Sequence, residues 1–185
     1  MAALRTYVKR HGMIPSMGRL CGVLGLSSTG SVFALLKRLT EAGFLERVDG
    51  RIVPTKRFFA RPLLGTVRAG LPQPEDQSQA EALTIDDFLI DDPNRTSLHR
   101  VRGDSMRDAG ILEGDLVTVE HASPAAPGDI VLAVVDGELT VKTLRLDDEG
   151  RFFLEAANPS YGPIRPGTSL EVVGIVTGIV RRLRR

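Results

Sequence analysis

The chain has 185 residues, 42% of them hydrophobic and 25% charged, which suits one large or two small folded domains and is too apolar for a disordered chain. Its single cysteine, Cys21, excludes an internal disulfide, His11, His99 and His121 lie at no metal-ligand spacing, and no apolar run approaches the roughly 20 residues that span a bilayer. The formal net charge of +1 is unevenly divided: residues 1–60 hold ten Lys or Arg against three Asp or Glu, and the rest hold 14 against 20, so only the first portion is expected to meet a polyanion.

Residues 3–11 predict a short helix with Leu4, Tyr7 and Val8 on one side, ended by His11-Gly12 and the turn-forming Ile14-Pro15. Ser16 is expected to cap a second helix from Met17 to Leu24, whose Met17, Leu20, Cys21 and Leu24 share a face, with Gly25 as its C-terminal stop. After Leu26-Ser27-Ser28-Thr29-Gly30 a third helix runs to about Ala42, with Val32, Leu35, Leu36 and Leu39 inward and Lys37, Arg38 and Glu41 outward, and Gly43 stops it. Phe44 to Val48 and Arg51 to Pro54 flank Asp49-Gly50, a strong hairpin signal. Three helices followed by a hairpin describe a winged helix-turn-helix over residues 1–59.

Residues 60–95 are rich in Pro, Gln, Glu and Asp and read as a linker, with Leu71-Pro72-Gln73-Pro74-Glu75-Asp76-Gln77 unsuited to any regular element. From residue 96 to 185 short β-type runs alternate with Gly, Pro and Asp turns: Ser97 to Val101, Leu116 to Glu120, Asp129 to Val135, Leu139 to Leu146, Phe152 to Ala156 and Leu170 to Arg181. This predicts a mostly antiparallel β domain with a barrel-like or folded-over sheet, and an α+β chain as a whole. No internal repeat is visible, and the start lacks the charged-then-apolar order of a secretory signal, so a cytoplasmic protein is expected.

Four blocks in the β region stand in a telling order: Val101-Arg102-Gly103-Asp104-Ser105-Met106, Gly110-Ile111-Leu112-Glu113-Gly114-Asp115-Leu116-Val117, Gly128-Asp129-Ile130-Val131 and Gly137-Glu138-Leu139-Thr140-Val141-Lys142-Thr143-Leu144. Asn158-Pro159-Ser160-Tyr161-Gly162-Pro163-Ile164 and Val173-Gly174-Ile175-Val176 follow. Together they resemble the LexA-type self-cleaving repressors, whose relatives include UmuD and phage repressors. Ile14-Pro15-Ser16 and Leu36 to Leu45 resemble the DNA-binding half of that family more loosely. The resemblance implies a winged helix-turn-helix joined to a signal-peptidase-like β domain.

It also implies roles. The family's nucleophilic serine and general-base lysine fall on Ser105 and Lys142. Taken alone, a serine before a methionine is usually a turn residue, and a strand lysine sharing a face with Thr140 usually meets water. A lysine accepts a serine proton only when neutral, and burial among apolar groups lowers its pKa toward that state. The family cuts its own chain between a small residue and glycine upstream of the β domain, which points to Ala69-Gly70 within Val67-Arg68-Ala69-Gly70-Leu71. Arg68 departs from the small residue expected there.

The third helix is expected in the major groove of double-stranded operator DNA, with Ser27, Ser28, Thr29, Ser31, Lys37 and Arg38 as contacts, and Arg51, Lys56 and Arg57 adding phosphate contacts from the hairpin side. A homodimer reading two half-sites is expected, with the apolar last strand as pairing surface or buried core strand. By resemblance the trigger is a RecA filament on single-stranded DNA and the regulated genes are those of the DNA-damage (SOS) response. No cofactor, metal or membrane partner is expected. Two other readings share these features: a phage or mobile-element repressor with another trigger, and a non-cleaving dimeric DNA-binding regulator. An UmuD-like accessory protein would not need residues 1–57.

Overall fold

The computed structural model describes residues 1–63, 81–121 and 124–183. The chain divides into two compact units, Met1–Phe88 and Leu89–Arg185.

In the first unit helices α1 (Ala2–His11), α2 (Met17–Leu24) and α3 (Thr29–Glu41) precede strands β1 (Leu45–Val48) and β2 (Arg51–Pro54). Helices α2 and α3 meet at 87°, the crossing of a helix-turn-helix. Gly25 closes α2 in the left-handed conformation, φ 65°, donating to the Cys21 and Gly22 carbonyls, as its position predicts. Ser16 stands at the N-cap of α2 but its side chain makes no capping bond; the capping hydroxyl is instead Ser28, which accepts the Ser31 N–H at the start of α3. Asp49 and Gly50, φ 48° and 77°, turn β1 into β2 with Val48 opposite Arg51. Helix α4 (Lys56–Phe59) then drops Phe58, fully buried, into a core of Leu4, Val8, Leu20, Val32, Leu36, Leu39 and Leu45.

The stretch expected to be only a linker holds regular structure at both ends. Strands β3 (Arg61–Leu63) and β4 (Glu81–Leu83) pair antiparallel, and α5 (Ile85–Leu89) follows. Thr84 accepts the Asp87 N–H at 3.0 Å and donates to the Asp87 carboxylate at 2.6 Å, a reciprocal cap that stabilises so short a helix. Leu71 to Gln77 lies outside the described residues.

The second unit is one antiparallel sheet in the order β5-β6-β10-β7-β8-β9. Its strands are β5 (Thr96–Arg100), β6 (Leu116–His121), β7 (Ile130–Val135), β8 (Glu138–Leu146), β9 (Phe152–Glu155) and β10 (Leu170–Val180), so all six expected runs form strands. Strand β10 is central rather than peripheral: it pairs with β7 through Leu170 to Ile175 and with β6 through Gly174 to Val180, with irregularities at 172/174 and 176/178. Such bulges fold the sheet and divide its core in two. One cluster gathers Met106, Ile111, Val117, Val119 and Leu132; the other gathers Val131, Ala133, Val135, Leu144 and Leu154. Buried Asp115 receives the Arg181 guanidinium on both oxygens, at 2.6 and 2.5 Å, tying the end of β10 to the loop before β6.

Candidate functional site

Ser105 sits on the turn that leaves β5, and the local sequence explains why its hydroxyl stands proud. Gly103, φ 82°, turns the backbone where a side chain would be strained. Met106 anchors the next position, 2% exposed in the core and accepting the Ala157 N–H on its sulfur at 3.4 Å. The 3-10 turn Arg107–Ala109 follows, pinned by Asp108 N–H donating to the Ala157 carbonyl at 2.9 Å. Among the described residues neither the Ser105 nor the Met106 backbone N–H has a protein acceptor.

Lys142 lies on β8 opposite Val131 of β7, 37 residues from Ser105, and is only 6% exposed. Its Nζ donates to Ser105 Oγ at 2.8 Å, to Thr140 Oγ1 at 2.9 Å and to the Val141 carbonyl at 3.0 Å. Three acceptors match the three protons of an ammonium. When the amine is neutral, two N–H groups suffice for Thr140 and Val141, and the lone pair is left facing the Ser105 hydroxyl. Desolvation by burial holds the Lys142 pKa below its ordinary 10.5. An acceptor-ready amine against a serine hydroxyl is the arrangement that activates an oxygen nucleophile.

Asp104, next to the serine, is turned to other partners. Tyr161 donates to its carboxylate at 2.6 Å and thereby holds the Asp104 pKa below the usual carboxylate range, while Arg107 and Asn158 add smaller pulls in the same direction. Buried Asn158 also donates to the Asp104 carbonyl at 3.0 Å and accepts the Ser160 N–H at 3.0 Å. Sequence reasoning gave Thr140, Asp104, Asn158 and Tyr161 no role in the site. Asn158 and Tyr161 lie 54 and 57 residues from Asp104, and the only signal was their place in a block shared with the resembled family.

Ser105 and Lys142 open onto a cleft of about 310 Å³ with an apolar lining of Met106, Val117, Leu132 and Val141 and with His99, Arg102 and Leu139 around it. That volume is enough to receive side chains of an extended peptide. Two of the three histidines, expected to be scattered, meet nearby: Ser97 Oγ lies 2.8 Å from His99 Nε2 and 2.7 Å from His121 Nε2. Ala69 and Gly70 lie outside the described residues.

The expected DNA contacts fall on two surfaces of the first unit. Ser27, Ser28, Thr29 and Ser31 are exposed at the start of α3, and Lys37 and Arg38 are exposed further along it, Lys37 at 3.8 Å from Glu41. Arg51 is exposed on β2. Lys56 and Arg57 have partners within the unit: Lys56 donates to Asp87 at 2.7 Å, and Arg57 donates to the Ala42 carbonyl at 3.1 Å and covers the Phe44 ring at 5.0 Å. Among the described residues no single helix is long and apolar enough to cross a membrane.

Comparison with known proteins agrees with both halves. Residues 1–52 match the LexA DNA-binding domain family and residues 62–177 match the Peptidase S24-like family. The LexA repressor of Carboxydothermus hydrogenoformans is 34% identical over 188 residues, covering 97% of this chain and 92% of its own length. LexA repressor 2 of Geobacter sulfurreducens is 33% identical, with 97% of this chain and 93% of the relative covered. The LexA repressor of Azoarcus sp. is 34% identical, with 96% and 90% covered. With a DNA-binding half and an S24 peptidase half that both align along nearly their whole extent, the chain belongs to the LexA repressor family.

Proposed function

We propose that the protein is a dimeric transcriptional repressor of DNA-damage (SOS) response genes that destroys its own activity by cutting the Ala69-Gly70 bond. Ser105 Oγ attacks the Ala69 carbonyl carbon while neutral Lys142 takes the hydroxyl proton. The resulting oxyanion is met by backbone N–H groups of the Ser105 turn, an interaction worth about 3 to 4 kcal/mol in related acyl transfers. Collapse breaks the C–N bond, and Lys142 returns its proton to the Gly70 amine. Water, deprotonated by Lys142, then hydrolyses the ester on Ser105 and frees the new C-terminus. The observation that carries this reading is the 2.8 Å contact between Ser105 Oγ and a lysine amine that is 6% exposed.

The scissile segment is tethered to its own protease, so its effective concentration is high and the reaction must be restrained until a signal arrives. The charged form of Lys142 and an undocked cleavage segment supply that restraint, and a RecA filament on single-stranded DNA favours the docked, neutral state. Operator affinity depends on two winged helices bound at once, as expected of a protein that acts in the cytoplasm on double-stranded DNA. In the second unit, residues 176–180 of β10 pair, among the described residues, with β6 alone, which leaves a backbone edge for a second copy.

Mass spectrometry of full-length protein after incubation at alkaline pH tests the reading. Two fragments whose masses place the cut after Ala69 are expected from wild type, and an activated RecA filament is expected to give the same fragments near neutral pH. Ser105→Ala should remain whole under both conditions. Wild type that stays whole under both, or a cut that survives Ser105→Ala, would overturn it.

A further inference from the structure

Helix α3 carries an outer face that its own fold does not use. Val32, Leu36 and Leu39 are buried, while Gly30, Phe33, Ala34 and Lys37 are exposed at i, i+3, i+4 and i+7 spacing. Phe33 is 58% exposed and takes no part in the core of the first unit. A phenyl ring left in water on a helix costs apolar solvation without return to the fold. Gly30 is equally unexplained from within. A Cβ at this position would meet only Ser28 Oγ, at 3.9 Å, and its φ is not in the left-handed region, so alanine would fit and would form helix more readily. One stripe thus combines a projecting aromatic ring with a missing side chain one turn earlier. Both features suit a partner that comes close to the backbone and offers the ring an apolar contact.

The partner's chemistry follows from the surroundings. The first 60 residues carry ten basic against three acidic side chains, and the matched family of this unit is a DNA-binding domain. The hydroxyls at the head of α3 are partly committed to the helix: Ser28 Oγ accepts the Ser31 N–H at 3.2 Å and lies 3.0 Å from Ser31 Oγ. The apolar feature that a duplex displays in its major groove is the C5-methyl group of thymine, which separates T·A from every other pair without a hydrogen bond.

We propose that Phe33 reads a thymine methyl in each operator half-site, with Gly30 permitting the close approach of α3 to the groove floor. The proposal rests on the DNA-reading role of α3 and adds to it the residue that sets base preference and the base it selects.

The test starts from duplexes that full-length wild-type protein selects out of random-sequence DNA. Affinity is measured on a selected duplex, on duplexes with single thymines replaced by uracil, and with Phe33→Ala, Phe33→Leu and Gly30→Ala variants. At one thymine of each half-site, uracil should weaken wild type about fourfold, the order of discrimination that one buried methyl group carries. Phe33→Ala should lose about tenfold on the thymine duplex and no longer distinguish uracil there, Phe33→Leu should keep part of the discrimination, and Gly30→Ala should weaken binding to both duplexes. Circular dichroism melting checks that the variants are folded. Equal wild-type affinity for thymine and uracil at every position would overturn the proposal while leaving DNA reading by α3 intact. Failure of wild type to bind any duplex would overturn both. A Phe33→Ala protein that retains duplex affinity but changes its oligomeric state would assign the ring to a protein contact and overturn the proposal alone.

Discussion

At the scale of single residues, the proposed chemistry depends on how two neighbours hold one amine. Thr140 and the Val141 carbonyl take two of the Lys142 protons and so aim the remaining position at Ser105. Thr140→Val removes one of those acceptors at nearly constant volume. Self-cleavage should slow about tenfold or more with Ser105 and Lys142 both present, because small losses of alignment are expensive in positioned proton transfer. Timed gels of alkaline self-cleavage measure it. The same amine is a burden on the fold. Desolvation lowers its pKa in the folded chain below 10.5, so between the folded value and 10.5 the unfolded chain binds more protons and stability rises with pH. Below the folded value the cost of burying the ammonium is present in full. Lys142→Met should therefore melt at higher temperature than wild type near neutral pH, with the gap closing as pH rises through that window; calorimetry across pH reads it directly.

At the scale of elements, β10 holds the second unit together, and Gly174 shows how tightly. A Cβ at this position would fall 2.5 Å from the Glu120 carbonyl oxygen and 2.7 Å from a Val119 methyl, both on the neighbouring β6 and one of them backbone. Gly174→Ala forces that pair apart and should cost roughly 1 to 3 kcal/mol in urea unfolding of the full chain, as overpacked cores do. Gly25→Ala at the exposed end of α2 has open space and meets only the strain of its positive φ, which should make it the milder change. The elements themselves were largely legible. Gly25, Gly43 and Asp49-Gly50 punctuate the first unit in a way that fixes the helix ends and the hairpin, and six apolar runs with turn residues between them became six strands. Helix α5 was not legible, because its cap Thr84 and Asp87 sit in an acidic stretch whose composition suggests a linker. The burial of Lys142 follows from the role that the resemblance implies and not from its strand: alternation along β8 puts it with Thr140 on one face, and the fold of the sheet around Met106 and Val117 makes that face an interior. The partnership of Asp104 with Tyr161 is a long-range contact that no local pattern encodes.

At the scale of the whole molecule, a LexA DNA-binding domain and an S24 peptidase domain share one chain, and under the proposed function operator affinity depends on pairing two such chains. Ile179 lies 39% exposed on the part of β10 that has β6 on one side only. Ile179→Asp should shift the protein to monomers in sedimentation and weaken operator binding about a hundredfold through lost avidity. Its rate of self-cleavage should stay close to wild type, since the reaction is proposed to occur within one chain. The central claim, that neutral Lys142 activates Ser105 against the protein's own backbone, is tested most directly by the pH dependence of the self-cleavage rate in full-length protein. A first-order rate, independent of protein concentration, is expected to climb to a plateau with a midpoint below 10.5 and to vanish in both Ser105→Ala and Lys142→Ala. A rate that survives either substitution, or that keeps rising with hydroxide and shows no midpoint, would contradict it.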